Sequence, residues 1–193
     1  MTTRIDNGAG AGGWSRWRVA GWGFAAFLLL LPLVAMRFTA EVNWDAADFV
    51  AIGAMLAVAG AGIELAARIS GDRYYRAGAA MAVATGFLLI WVNLAVGMLG
   101  GEANPANLLF AGVIGVGVVG AVAGRFRAAG MVRAMTAAAV AQALVGVAAP
   151  LFGLGSAGAA GVYEAVLATV PFGGLWLGSA WLFRRAAVRP VRG

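Results

Sequence analysis

Long apolar runs separated by short polar segments make up most of this chain. A transmembrane helix needs about 20 mostly apolar residues, and each run is close to that length. The connections between them are only a few residues long, so neighbouring runs should pair as antiparallel hairpins. The pattern predicts an all-α, polytopic bundle of six spans, at residues 19–36, 47–67, 77–99, 107–124, 131–152 and 162–183.

The two ends of the chain are polar and basic. Residues 1–18 are predicted to be a disordered basic tail, residues 19–184 the transmembrane domain, and residues 185–193 a basic C-terminal tail. Arginines before the first run would also suit a cleaved signal peptide. That run is longer than a usual signal-peptide core and no small-x-small cleavage site follows, so we interpret it as a retained helix.

The arginines predict the orientation of the bundle. Arg37 is the only basic residue on one side, which leaves thirteen of the fourteen on the other. Cytoplasmic loops carry the excess of positive charge, so both termini are predicted to be cytoplasmic. The cytoplasmic set is Arg4, Arg16, Arg18, Arg68, Arg73, Arg76, Arg125, Arg127, Arg133, Arg184, Arg185, Arg189 and Arg192.

Composition narrows the possible functions. The chain is 62% hydrophobic and 11% charged, whereas about 25% charged residues is typical of a soluble domain. It has no cysteine and no histidine, so thiolate and imidazole ligands are excluded and we expect no cofactor. The net charge of +6 lies beside apolar spans. We therefore expect anionic lipids at the cytoplasmic face as partners, and no nucleic acid.

Small and polar residues inside the spans indicate helix packing. Gly120 and Gly124 form one GxxxG spacing, and Gly174 and Gly178 form another. Such spacings allow close helix contact, either within one bundle or in a homo-oligomer. Gln142 lies near mid-membrane, where its amide needs a hydrogen-bond partner.

One acid on the cytoplasmic side has an obvious partner. Glu64 lies four residues before Arg68, which predicts a structural ion pair within one helix.

Polar residues on the outer side form the candidate site. One interpretation is helix capping, with Asp45 before span two, Asn104 and Pro105 before span four, and Glu164 in the first turn of span six. The cluster consists of Arg37, Glu41, Asp45, Asp48, Asn93, Glu102, Asn104, Asn107 and Glu164.

A second interpretation gives this cluster a function. Arg37, Glu41, Asp45 and Asp48 recur at intervals of four, four and three residues. If this segment is helical, they form one charged stripe that could gate a cavity or bind a hard cation. No nucleophile or base motif accompanies the acids, so no catalytic residue and no metal ligand is assigned.

Two outer strings resemble those of a known group of proteins. RFTAEVNWDAADF and WVNLAVGMLGGEANPANLLF are similar to strings in a family of small, uncharacterised bacterial multi-pass inner-membrane proteins. The resemblance covers most of the apolar part of the chain. It implies a bacterial cytoplasmic membrane location, and it implies no activity, cofactor or catalytic residue.

Three functional hypotheses follow. The first is a non-catalytic accessory protein that works through helix contacts or in a larger membrane complex. The second is a small transporter or ion- or proton-conducting protein that uses the outer acids and Asn93. The third, a membrane enzyme, is the least favoured because the sequence has no catalytic motif. The state of the outer polar residues, open to a cavity or closed on one another, separates these hypotheses.

The predicted orientation can be tested with reporter fusions. We expect a fluorescent protein fused after Gly193 to be active and alkaline phosphatase at that site to be inactive, because the C-terminus is predicted to be cytoplasmic. Fusions after Glu102, on the opposite side, serve as the control and should give the reverse result. A C-terminal phosphatase that is active would contradict the orientation.

Overall fold

We describe the protein from a computed structural model, which covers residues 11–39 and 43–188, with side chains from residue 19 onward. The described residues form helices and no strands, as the apolar pattern predicts. The elements are α1 (Ala11–Ala35), α2 (Ala46–Ile69), α3 (Arg73–Val96), a short 3-10 helix (Pro105–Asn107), α4 (Leu108–Ala123), α5 (Ala128–Leu151) and α6 (Ala159–Val188).

Five of these segments are long and apolar enough to cross a membrane. They are Ala46–Ile69, Arg73–Val96, Pro105–Ala123, Ala128–Leu151 and Ala159–Val188. The apolar part of α1, Val19–Ala35, is shorter. The sixth span and the cytoplasmic position of the termini therefore stay predictions.

The first and last helices extend into the predicted tails. α1 begins at Ala11, within the stretch 1–18, and α6 continues to Val188, past the predicted boundary at residue 184. Alanine and arginine are strong helix formers, so RRAAV at the end of α6 continues the helix without an apolar pattern. Residues 1–10 and 189–193 lie outside the described part of the chain.

The chain divides into two compact units, Met1–Gly60 and Ala61–Gly193. In the first unit, the Trp22 ring lies against Gly60, where an added Cβ would come within 3.2 Å of the indole. In the second unit, α5 packs between α4 and α6, and α3 packs on α6. The core of this unit holds Leu89, Phe110 and Phe183, all almost completely buried.

Close backbone contact joins α4 to α5. A Cβ added at Gly124 would lie 2.7 Å from the Cα of Gly130, and one added at Gly120 would lie 2.9 Å from the Cβ of Ala134. Helices in lipid associate through such small residues. On α6, Gly178 faces the Met81 sulfur, but an added Cβ at Gly174 would meet no described atom within 4 Å. The packing role predicted for Gly174 thus has no contact to support it.

The turn between α4 and α5 is strained and braced. Arg125 and Phe126 have φ angles of 50° and 54°, a left-handed conformation that is costly for residues other than glycine. The Tyr75 hydroxyl donates a 2.6 Å hydrogen bond to the Phe126 carbonyl. The Tyr75 ring in turn packs edge-on against Phe183, with centroids 5.1 Å apart. Residues of α3 and α6 therefore hold this turn in place.

The α4–α5 contact predicts a difference between Gly124, which directly follows α4, and Gly112 within α4. We expect Gly124→Ala to destabilise the protein by about 1–3 kcal/mol, because the methyl group would meet backbone that cannot move aside. Gly112→Ala is the matched control, since an added Cβ there meets no described atom within 4 Å. Thermal unfolding in detergent measures both, and equal melting temperatures would contradict the contact.

Candidate functional site

The first outer acids sit at the start of α2 and cap it. An Asp45 carboxylate oxygen accepts hydrogen bonds from the backbone N–H groups of Ala47 (2.7 Å) and Asp48 (3.0 Å). Asp48 returns the contact, since its carboxylate accepts from the Asp45 N–H at 2.9 Å. This reciprocal pair satisfies N–H groups that have no partner within the helix. Both side chains are therefore used by the helix end.

The segment before this cap does not form one helix. α1 ends at Ala35, and the following N–H groups of Arg37 and Phe38 bond back to Val34 and Ala35 in a turn. Residues 36–39 and 43–45 are not helical. The charged stripe requires the segment from Arg37 to Asp48 to be helical, and its described residues before α2 are not. Arg37 is exposed, and Glu41 lies outside the described residues.

The second unit has its own outer polar structure, organised first by Asn107. Its side-chain oxygen accepts from the N–H groups of Met98 and Leu99, both at 3.0 Å. Its amide nitrogen donates to the carbonyls of Gly101 (2.8 Å) and Leu99 (3.4 Å). One side chain thus organises the segment between α3 and α4.

Asn104 and Glu164 connect this segment to the one between α5 and α6. The Asn104 oxygen accepts from the Ala106 N–H and caps the 3-10 helix, while its amide nitrogen donates to the Leu154 carbonyl at 2.6 Å. The Glu164 carboxylate accepts from the Gly100 N–H at 3.0 Å. We call the set formed by Asn104, Asn107, Ser156 and Glu164 the outer clamp.

Ser156 completes the outer clamp. Its N–H and hydroxyl donate to the two Glu164 carboxylate oxygens at 3.1 and 2.5 Å. Sequence reasoning placed Glu164 at a helix start but missed this serine. The two residues are eight positions apart, on a loop and a helix, so no helical or strand period relates them.

Two polar residues predicted for the cluster make no hydrogen bond with the four residues of the outer clamp. Glu102 is exposed and makes no side-chain hydrogen bond or ion pair within the described residues. Asn93 lies on α3, where its amide nitrogen donates to the Leu89 carbonyl at 2.8 Å and contacts the Met98 sulfur at 3.0 Å. Its side-chain oxygen is buried and accepts no hydrogen bond from the described atoms.

Polar side chains within the spans also bond to the backbone. Gln142 is fully buried, and its amide nitrogen donates to the Ala168 carbonyl of α6 at 2.8 Å. Ser179 of α6 donates to the Gly78 carbonyl of α3 at 2.8 Å. Sequence reasoning identified Gln142 but not Ser179, because one small hydroxyl in an apolar run gives no distinctive signal. Both bonds join neighbouring helices.

The ion pair expected in α2 is formed in the second unit. An Arg68 guanidinium nitrogen lies 2.6 Å from a Glu64 carboxylate oxygen. The acid therefore lies beside a charge that offsets its cost near the end of a span.

The end of the second unit that holds the outer clamp offers little chemistry of its own. A shallow groove of about 690 Å³ lies there, lined mainly by apolar and backbone atoms of residues 104–106, 108, 109 and 153–155. Asn104 supplies the polar side chain of this groove, and that side chain is already hydrogen-bonded to Leu154. In the described part of the chain, no three acids come together as a metal site would require. The arrangement is one of side chains bound to the chain's own backbone.

Comparisons of this chain with protein-family models, with curated proteins and with solved structures found no match. The class of protein therefore follows from the fold itself. Its apolar helices are those of an integral, multi-pass membrane protein.

Asn107 should be required for order in the outer clamp. We expect Asn107→Ala to speed hydrogen exchange at the Met98 and Leu99 amides by about fivefold, because each loses an acceptor worth about 1 kcal/mol. Hydrogen-exchange mass spectrometry of a peptide covering these amides measures the effect. Glu102→Ala, in the same loop, is the control and should leave the exchange unchanged. Equal protection in the two variants would contradict the role of Asn107.

Proposed function

We propose that this protein is a non-catalytic accessory protein of the bacterial cytoplasmic membrane, which works through contacts of its helices with a partner. One observation carries the proposal. The side chain that caps α2 and those of the outer clamp bind the protein's own backbone, as Asp45, Asn104, Asn107 and Glu164 do. This bonding favours a role of the polar side chains in holding the helices in place over a role in lining a path for solutes.

The transport hypothesis requires a polar path to Asn93 or Gln142. Gln142 has no exposed surface, and its amide nitrogen is bonded across to α6. The amide nitrogen of Asn93 is bonded within α3. Asp45 and Asp48 bond to each other's backbone. These contacts favour the accessory role over transport.

Apolar helix faces are then the surfaces left for function. Val118 and Val119 on α4, and Leu144 and Val147 on α5, are all more than half exposed. Lipid covers such faces in a membrane, and a partner's helix can replace the lipid when close packing is possible. The resemblance of the two outer strings supports the bacterial membrane location, and the excess of arginine supports cytoplasmic termini.

The accessory role predicts a defined partner. We expect the tagged protein, extracted in a mild detergent, to bring down one membrane protein in a fixed ratio. A photo-crosslinking residue placed at Val119 on α4 or at Val147 on α5, 68% and 59% exposed, should capture that protein at one position and not the other. Mass spectrometry identifies the adduct. Lipid adducts alone at both positions would contradict the proposal.

A second experiment tests the transport hypothesis by measuring ion flux with the variant Asp48→Asn. Asparagine keeps an oxygen that can accept from the Asp45 N–H, so the helix cap is retained while the charge is lost. We expect vesicles reconstituted with the original protein or the variant to show the same ion flux as empty vesicles. A protein-dependent flux that falls in the variant would favour a transporter.

A further inference from the structure

The carboxyl end of α6 has two chemically different faces. One face packs into the bundle and holds Trp176, Ser179, Ala180 and Phe183, all buried. The opposite face is exposed and follows helical spacing. It holds Leu177, Trp181, Arg184, Arg185 and Val188. Along the helix, this face presents first the apolar Leu177, then the Trp181 indole, and then the guanidinium groups of Arg184 and Arg185.

The position of these residues along α6 matches a membrane surface. Glu164, bonded to the outer loops, marks the level of the opposite surface. Arg184 follows it by about 20 residues, a rise of about 30 Å along a helix, which equals the thickness of a hydrocarbon core. Tryptophan favours the interface between hydrocarbon and water. Trp181 thus lies near that interface, with the arginines just beyond it.

The exposed side chains are arranged as a small groove. Trp181, Arg184, Arg185 and Val188 line a space of about 310 Å³. The Arg185 guanidinium carbon lies 4.7 Å from the centroid of the Trp181 ring, a cation–π contact that restrains both side chains. Arg184 is exposed beside them.

The charges of this groove differ from those of nearby arginines. Arg68 is paired with Glu64, and Arg76 donates to the carbonyls of Ser70 and Ala67. Within the described residues, no acid lies within salt-bridge distance of Arg184 or Arg185. Two adjacent positive charges therefore face outward without a counter-charge from the described part of this chain.

Arg125 and Arg127 are also exposed, but they lie on the tight turn between α4 and α5. The aromatic residue between them, Phe126, packs against the core instead of facing outward. The end of α4 also exposes apolar side chains before that turn, Val119 and Val122, but no outward-facing indole lies between them and the charges. It provides a matched comparison with the end of α6.

We propose that this groove binds one anionic phospholipid. The guanidinium groups of Arg184 and Arg185 donate hydrogen bonds to the phosphate oxygens, and an acyl chain lies along Trp181 and Leu177. A zwitterionic lipid fits less well, because its ammonium group would lie near the two guanidiniums. The inference depends on α6 spanning the membrane, as the proposed function does, and is independent of the accessory role.

The test is native mass spectrometry of the whole protein, purified in detergent and titrated with phosphatidylglycerol or phosphatidylcholine. We expect a first phosphatidylglycerol to bind more tightly than phosphatidylcholine. Arg184→Gln combined with Arg185→Gln should weaken phosphatidylglycerol binding by about tenfold or more. The control, Arg125→Gln combined with Arg127→Gln, removes the same charge from the same end and should change binding by less than about twofold.

Three outcomes would overturn the proposal. They are equal losses in the two double variants, equal binding of the two lipids, and displacement of phosphatidylglycerol by millimolar inorganic phosphate, which would indicate a general phosphate site. Retained binding in Arg184→Lys combined with Arg185→Lys would support a charge-based site. Failure of lipid binding with intact partner capture would refute this site alone, and the reverse result would refute the accessory role alone.

Discussion

The contact between the backbones of α4 and α5 is the constraint on which the second unit depends. In hydrocarbon, helices gain little by burying leucine against leucine, so association relies on dispersion forces and hydrogen bonds at short range. Gly124 against Gly130, and Gly120 against Ala134, allow that approach. α6 then packs on the other side of α5, and α3 packs on α6. A bulky residue at these glycines would separate α4 from the rest of the unit.

Hydrogen bonds from side chains to backbone are the second means of holding this unit together. Gln142 joins α5 to α6, and Ser179 joins α6 to α3. At the outer end, Asn104 and Glu164 do the same for two loops. Each bond satisfies one polar atom that would be costly to leave unpaired near lipid, although the buried side-chain oxygen of Gln142 accepts no hydrogen bond from the described atoms. The same residue types could have lined a solute path, so their bonding partners, and not their presence, support a non-catalytic accessory role.

The helices could be predicted from the sequence because length and apolar content alone mark a span. The cap at Asp45 and the start of the 3-10 helix at Asn104 and Pro105 could be predicted equally well, since both depend on residues that are close in the sequence. The hydrogen bonds of Glu164 to Gly100 and Ser156 could not be predicted, because they join segments whose contact is decided by tertiary packing. For the same reason, equal GxxxG spacings gave a tight contact at Gly124 and none at Gly174.

The braced turn at Arg125 and Phe126 has a consequence for the order in which the bundle is assembled. Two successive left-handed residues other than glycine are unfavourable on their own. The hydroxyl that stabilises them belongs to Tyr75, 51 positions earlier. Tyr75 is therefore synthesised before the turn that it stabilises. Phe183, which packs against the Tyr75 ring, is synthesised only with the last helix, so these contacts at the turn are complete only when α6 has been made.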